Sequence, residues 1–126
     1  MSRLPHDIRV SVSVRYLAEQ SSAAQKQHVF AYDICIRNHG SLGARLLSRY
    51  WHIVSACEHT QEVRGEGVVG EQPYLPVDGE FRYSSGVILP SPLGRMQGSY
   101  HFVDEHGQGF EADIAAFTLA APGALH

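Results

Sequence analysis

The sequence has few cysteines and few charged residues: 2 of its 126 residues are cysteine, and charged side chains make up 18% of it. Two cysteines are too few for the disulfide framework of a small secreted domain, so Cys35 and Cys57 are predicted to be free thiols buried in strands. The hydrophobic content of 44% is enough to build one core. Residues 1–126 are therefore expected to form a single globular domain.

The sequence also lacks a basic surface and a long apolar run. A formal net charge of −3 argues against a nucleic-acid partner. Near the start, Asp7, Arg9 and Ser11 interrupt the apolar residues, so this segment resembles neither a signal peptide nor a transmembrane helix. We therefore expect a cytoplasmic protein that has no membrane partner.

Apolar residues recur at every second position in much of the chain, which is the period of a β-strand. Residues 7–17 alternate in this way, and residues 28–38 do so with Phe30 to Ile36 facing the core. The segment at 45–56 is apolar at nearly every position, which is typical of a central strand covered on both faces. Trp51 is the expected core anchor of that strand.

No segment of the sequence predicts a helix. Residues 103–110 predict a hairpin turn in which Gly107 and Gly109 take positive φ. About seven short strands without room for crossover helices favour an all-β fold, an antiparallel sandwich of the immunoglobulin or fibronectin type III kind. An antiparallel barrel is the second possibility.

Residues 64–73, RGEGVVGEQP, have the glycine spacing G-x-G-x-x-G of a dinucleotide-binding loop. That motif works only where the loop opens a helix, and Pro73 and Pro76 exclude a helix here. A phosphate-binding P-loop is excluded as well, because Glu71 stands where that motif needs a lysine.

Two interpretations of this glycine loop remain open. Backbone amides around Gly65, Gly67 and Gly70 could form an anion-binding nest, assisted by the guanidinium of Arg64. Alternatively, the glycines only allow the loop to cross between two sheets with positive φ.

Candidate metal and catalytic residues do not form a recognisable pattern. His52, Cys57, Glu58 and His59 are close in the sequence, but their spacing does not define a tetrahedral metal site. No G-x-S-x-G nucleophile motif is present either. We predict a protein that is not an enzyme and that has no catalytic residue, no bound metal and no cofactor.

Five segments together resemble the ApaG family: SRYWHIVSA, VRGEGVVGEQPYL, GEFRYSSG, SPLGRMQGSY and FEADIAAFTL. The resemblance implies a fibronectin type III-like sandwich. Bacterial members of this family are associated by phenotype with cobalt and magnesium efflux or resistance, and no reaction is established for the family. Similar domains attached to eukaryotic F-box proteins imply a role in binding other proteins. The resemblance further implies a candidate pyrophosphate loop at Gly65, Gly67, Gly70 and Gln72.

Two hypotheses for the function follow. The first is a non-enzymatic interaction module that binds a partner protein through an exposed sheet edge or through the loops at one end of the sandwich. The alternative is a sensor of a nucleotide or of pyrophosphate, in which Mg²⁺ or Co²⁺ shields the carboxylates of Glu66 and Glu71. Its candidate ligand-binding residues are Arg64, Gly65, Gly67, Gly70 and Gln72. Since sandwich edges tend to pair, a homodimer is a further expectation.

Overall fold

The structure is a computed structural model, and it describes residues 3–124 of the chain. Eight β-strands make up most of this part, and one turn of 3-10 helix at Ala18–Gln20 separates the first two strands. The strands are β1 (Ile8–Tyr16), β2 (His28–Asn38), β3 (Ala44–Ser55), β4 (Thr60–Glu66), β5 (Tyr74–Leu75), β6 (Glu80–Leu89), β7 (Leu93–Asp104) and β8 (Gly109–Ala120). Within residues 3–124, no helix is long and apolar enough to span a lipid bilayer.

The strands form two sheets that pack face to face around one core. The three-stranded sheet has the order β1-β2-β6, and the five-stranded sheet has the order β4-β3-β7-β8 with β5 paired to β3. Every pair of neighbouring strands is antiparallel. The predicted all-β antiparallel sandwich is confirmed, with eight strands where about seven were expected.

The alternation in the sequence decides which face of each strand is buried, because successive side chains of a strand point to opposite faces. In β2, the four side chains predicted to face the core are at most 5% exposed: Phe30, Tyr32, Ile34 and Ile36. The apolar residues of β1 pack against the same core, while its polar residues face outward. The three-stranded sheet therefore has one apolar face and one polar face.

Trp51 lies in the middle of β3 with β4 on one side and β7 on the other, and it is 3% exposed. Its indole packs edge-on against the rings of Tyr32, Phe117 and Tyr100, at centroid distances of 5.6, 5.9 and 6.5 Å. Edge-to-face pairs of this kind stabilise a core beyond the area that they bury. Because Tyr32 belongs to the other sheet, Trp51 anchors the two layers to each other, as predicted.

The prediction that both cysteines lie buried in strands is wrong. Cys57 is exposed, because β3 ends at Ser55 and the chain turns at Glu58, which has a φ of 65°. Cys35 is half-buried on the outward face of β2, between two residues that face the core. Both thiols are free, as expected.

The predicted hairpin at 103–110 is present and connects β7 to β8. Gly107 takes a φ of 85°, as predicted. Gly109 does not take a positive φ, because it is already the first residue of β8 and has extended backbone geometry. One left-handed residue is enough to reverse the chain here.

Candidate functional site

The glycine loop follows directly from strand β4 and leads into β5. In the β3–β4 pair, Arg64 lies opposite Tyr50 and Gly65 lies opposite Arg49. The segment that contains Pro73 continues into the two extended residues of β5, so it is not helical, as predicted. The loop therefore connects two strands that both pair with β3.

The tip of the loop is a tight turn closed by two backbone hydrogen bonds between Val68 and Glu71. The amide of Val68 donates to the carbonyl oxygen of Glu71 at 2.8 Å, and the amide of Glu71 donates to the carbonyl oxygen of Val68 at 3.0 Å. The central residues, Val69 and Gly70, have φ values of 48° and 79°. Positive φ at both central positions defines a type I′ turn. Within residues 3–124, the amides of Val69 and Gly70 donate to no protein acceptor.

Gly67 is fixed at the base of this turn. Its amide donates to the carbonyl oxygen of Leu47 at 2.7 Å, and its φ is 63°. A Cβ at this position would lie 2.3 Å from the carbonyl oxygen of Glu71, a distance that requires the backbone to move. Glycine is thus required at 67 both by conformation and by space.

Arg49, which the sequence analysis did not single out as a site residue, holds the start of the loop. Its Nη1 atom donates to the carbonyl oxygens of Glu66, at 3.1 Å, and Gly67, at 2.9 Å. A Cβ at Gly65 would come within 2.7 Å of the same Nη1 atom. Gly65 therefore leaves the space through which the Arg49 guanidinium crosses strand β4.

Gln72 is bound to its own chain by two hydrogen bonds to residues of β3. Its side-chain Nε2 donates to the carbonyl oxygen of Leu47 at 2.9 Å. Its carbonyl oxygen accepts a hydrogen bond from Nη1 of Arg45 at 2.7 Å. Leu47 lies at an irregularity in the β3–β7 pairing, and its carbonyl oxygen receives hydrogen bonds from both ends of the loop.

Arg64 lies on the outer face of the five-stranded sheet. Its guanidinium carbon is 4.4 Å from the centre of the Tyr50 ring, a cation–π arrangement, and its Nη2 atom is 3.8 Å from a carboxylate oxygen of Glu62. The Arg64 side chain is 74% exposed. It borders a shallow groove of about 370 Å³ whose other lining residues include Ser48, Ser99, His101 and Glu111.

The electrostatics of the loop combine charges of both signs. The carboxylates of Glu66 and Glu71 are exposed on the same loop as the Arg64 guanidinium. Among residues 3–124, no three His, Cys, Asp or Glu side chains come together in a way that could hold a metal ion. The arrangement brings Gly65, Gly67 and Gln72 together against β3 and leaves Arg64 and the tip of the turn open to solvent.

A pair of tyrosines, Tyr100 buried and Tyr83 half-buried, joins the two sheets. The hydroxyl groups of Tyr83 in β6 and Tyr100 in β7 form a hydrogen bond of 2.5 Å. Burial raises the pKa of Tyr83 to about 12, and it raises the pKa of Tyr100 as well. Both phenols are therefore neutral at physiological pH and act as a structural contact.

The two thiols lie in different environments. A hydrogen bond with the Ser55 hydroxyl lowers the pKa of Cys57, and the Cys57 Sγ atom is 3.1 Å from that Ser55 Oγ atom. The pKa of Cys35 is raised, first by its hydrogen bond to the Glu80 carboxylate at 3.0 Å. The exposed thiol is thus the more easily ionised of the two.

These features define a class of protein: an antiparallel β-sandwich whose glycine-rich loop is held by its own central strand. A model of the ApaG domain matches residues 18–104. Protein ApaG of Bordetella pertussis is 52% identical over 122 residues, which are 97% of this chain and 93% of that protein. Protein ApaG of Azotobacter vinelandii is 51% identical over the full length of both chains. The chain belongs to the ApaG family.

Solved structures give the same result. The crystal structure of an ApaA protein from Bordetella pertussis superimposes with a TM-score of 0.92, at 50% sequence identity, over 96% of this chain and 98% of that one. A second X-ray structure, 44% identical, superimposes with a TM-score of 0.89 over 94% of this chain and 90% of the other. The sandwich is thus the fold of close relatives.

Proposed function

We propose that this protein is a non-enzymatic interaction module that binds a partner protein. The observation that carries this proposal is the contrast between the glycine loop and strand β6. Much of the loop is bonded to its own chain through Arg49, Gln72 and the carbonyl oxygen of Leu47. Strand β6, in contrast, pairs with β2 on one side and forms the edge of its sheet on the other. An open sheet edge is a surface to which another chain can hydrogen-bond.

The sandwich is a suitable scaffold for such a role. We assign it to the immunoglobulin and fibronectin type III-like class, with β1, β2 and β6 in one layer and β4, β3, β7 and β8 in the other. Domains of this architecture commonly present edges and loops for recognition.

The link to cobalt and magnesium efflux that the family resemblance implies is, in this proposal, indirect. The protein acts in the cytoplasm on a partner that itself affects metal transport. The described residues offer no cluster of three metal ligands, which favours an indirect role over metal binding by this chain.

The test is capture of a partner followed by binding of purified components. The tagged protein is used as bait in an extract of Bordetella pertussis, whose ApaG protein is 52% identical to this chain. A captured protein is then purified and titrated against the untagged domain by calorimetry, with the tag alone as control. Saturable one-to-one binding supports the proposal. If no captured protein binds in purified form, the proposal is wrong.

The alternative is a sensor of a nucleotide or of pyrophosphate at the glycine loop. Two observations favour it: the amides of Val69 and Gly70 have no protein acceptor within residues 3–124, and the Arg64 guanidinium is exposed on the same segment. Exposed amides in a positive-φ turn can bind an anion, and an arginine strengthens such a site.

The alternative is tested by titrating the ¹⁵N-labelled protein with ATP, diadenosine tetraphosphate or pyrophosphate, with and without Mg²⁺ or Co²⁺. Saturable shifts confined to the amides of Gly65, Gly67 and Gly70 and their neighbours would support it, provided that Arg64→Glu abolishes them. Arg95→Glu changes an exposed arginine on β7 and is the matched control. No shift at millimolar ligand would exclude the sensor.

A further inference from the structure

The long edge strands of the sandwich, β1, β4, β6 and β8, differ in how they are protected against pairing with another chain. The exposed face of strand β4 carries Glu62, Arg64 and Glu66, which alternate in charge. Strand β8 has an irregularity in its pairing with β7. Strand β1 carries Arg9 and Arg15 and packs beside β8. Charges, bulges and coverage are the usual means by which proteins block a sheet edge.

Strand β6 lacks these protections over most of its length. From Tyr83 to Leu89 it contains no charged residue, no proline and no break in its register with β2. Ser84, Ser85 and Gly86 in its centre are exposed and have small side chains. Another strand could approach this edge without steric hindrance from side chains.

The outward-facing positions of β6 carry an ion pair at one end, Arg82 with Glu80 at 3.3 Å, and an apolar residue at the other. Arg82 is 74% exposed at the start, Ile88 is 56% exposed at the end, and Ser84 and Gly86 lie between them. The exposed Arg37 on the neighbouring strand β2 lies opposite Glu80 and makes no ion pair within residues 3–124. This end of the edge therefore carries two cations, Arg37 and Arg82, and one carboxylate, Glu80. A segment that fits this edge needs an apolar residue at one end and a carboxylate at the other.

We propose that β6 is a docking site for an extended acidic segment of a partner protein, which adds to the three-stranded sheet as a fourth, antiparallel strand. In this arrangement an apolar residue of the segment lies opposite Ile88. Six residues later, a glutamate or aspartate lies opposite Arg82. This inference rests on the proposed interaction function and specifies its surface and the chemistry of its partner.

A second copy of the chain fits this edge less well. Antiparallel self-pairing centred on Ser85 places Arg82 opposite Ile88 of the other copy, so that Arg82 gains no carboxylate beyond the Glu80 of its own strand. Centring the pair on Ser84 places Arg82 opposite Gly86, with the same result. A register that brings Arg82 opposite Glu80 leaves most of the uncharged part of β6 unpaired. Charge complementarity therefore favours a different, acidic chain.

The experiment uses a synthetic peptide with the core sequence Ile-Thr-Thr-Val-Thr-Val-Glu between Gly-Ser ends, and a control in which lysine replaces glutamate. Binding to the full-length domain is measured by calorimetry, and the site is mapped by ¹⁵N chemical shifts. We expect saturable shifts centred on residues 82–88, and an affinity for the lysine peptide lower by about threefold to tenfold.

Charge-swap variants then identify the contact. Arg82→Glu is expected to lower the affinity for the glutamate peptide by a similar factor and to restore binding of the lysine peptide. Ile88→Lys is expected to abolish binding of both peptides, because an exposed lysine blocks strand addition. Arg95→Glu on β7 and Val69→Lys at the exposed loop tip are the matched controls. The altered positions are exposed, and thermal denaturation verifies that each variant folds.

Three results would overturn the proposal: peptide shifts outside β6, equal binding of the two peptides, or no effect of Arg82→Glu. The remaining candidate for this edge is a second copy of the chain, and sedimentation velocity of the free protein tests it. Dimerisation that Ile88→Lys removes would assign the edge to a second copy. If a partner captured from the extract binds the Arg82→Glu, Ile88→Lys double variant unchanged, the interaction function stands and β6 is not its surface.

Discussion

Single glycines in the loop at 64–73 have different structural roles, although the sequence motif treats them alike. Gly67 takes positive φ and has a backbone carbonyl where its Cβ would stand. Gly70 also takes positive φ, but a Cβ there would meet open space. The two positions therefore separate the cost of backbone conformation from the cost of steric overlap.

Gly70→Ala is expected to lower the free energy of unfolding by about 1–2 kcal/mol, the cost of a left-handed alanine. Gly67→Ala is expected to lower it by more, roughly 2–4 kcal/mol, because the backbone around Glu71 must also move. Urea denaturation followed by tryptophan fluorescence measures both, with Trp51 as the probe. Equal losses for the two variants would show that the turn relaxes freely and that the close approach at 67 has no energetic weight.

Arg49 shows why part of the site was not predictable from sequence. Its position in β3 and its neighbour Trp51 were predicted correctly, but the reach of its guanidinium to two loop carbonyls depends on the pairing of β3 with β4. Sequence spacing does not encode that register. The glycine opposite Arg49 was noticed as part of a phosphate motif, and the structure shows that it also leaves room for a side chain of the same protein.

At the scale of elements, the segment before β1 is fastened to the hairpin between β7 and β8. His6 stacks on Phe110 with a ring-centroid distance of 3.8 Å, and its Nε2 atom lies 2.7 Å from the Asp104 carboxylate. The same carboxylate accepts hydrogen bonds from the amides of His106 and Gln108. One buried carboxylate therefore organises both the hairpin turn and the start of the chain.

The pKa of Asp104 is lowered, first by the hydrogen bond from His6 and then by the two amides of the turn. The folded carboxyl binds its proton less tightly than the unfolded one, whose pKa is about 3.9. The stabilisation is therefore fully present above that pH and is lost as the pH falls through the lower folded pKa. We expect Asp104→Asn to lower the melting temperature at pH 7. Below about pH 4, the melting temperature of this variant should fall less steeply with falling pH than that of the unaltered protein.

Circular dichroism melts from pH 2.5 to 7 test this expectation, with Asp113→Asn on an exposed position of β8 as the control. The control curve should follow that of the unaltered protein. Parallel curves for the protein and for Asp104→Asn would show that another group dominates its acid sensitivity.

The strands were the most predictable elements, and the turns the least. Alternation identified the buried face of β2, because burial on one face leaves a direct trace in composition. β3 is central, as predicted, since it pairs with β4 and β7. The prediction that β3 is covered on both faces is wrong, because the described sandwich has two layers and the outer face of β3 is only half-buried. The end of β3 at Ser55 leaves no such trace, since Ala56 and Cys57 continue the apolar pattern into a turn. Cys57 was assigned to the core for that reason.

At the scale of the whole molecule, family motifs that are distant in the sequence converge inside the sandwich. The RYW segment supplies Arg49 and Trp51, and the Y-x-S-G segment supplies Tyr83, whose hydroxyl meets that of Tyr100. Trp51 was expected in the core from the strand pattern, whereas Arg49 and Tyr83 were expected only as members of a resemblance. The structure gives them physical roles: one holds the glycine loop, and the others connect the two sheets.

The tyrosine pair has a consequence for how the two layers can move. Hydrophobic packing between sheets is non-directional, so by itself it resists separation of the layers more than sliding of one over the other. The hydrogen bond between Tyr83 and Tyr100 weakens when either sheet slides along the strands, because only a narrow range of distances and angles is favourable. The pair therefore opposes sliding of the two sheets, so that the open edge of β6 keeps its position along the strand direction relative to the sheet that carries the glycine loop.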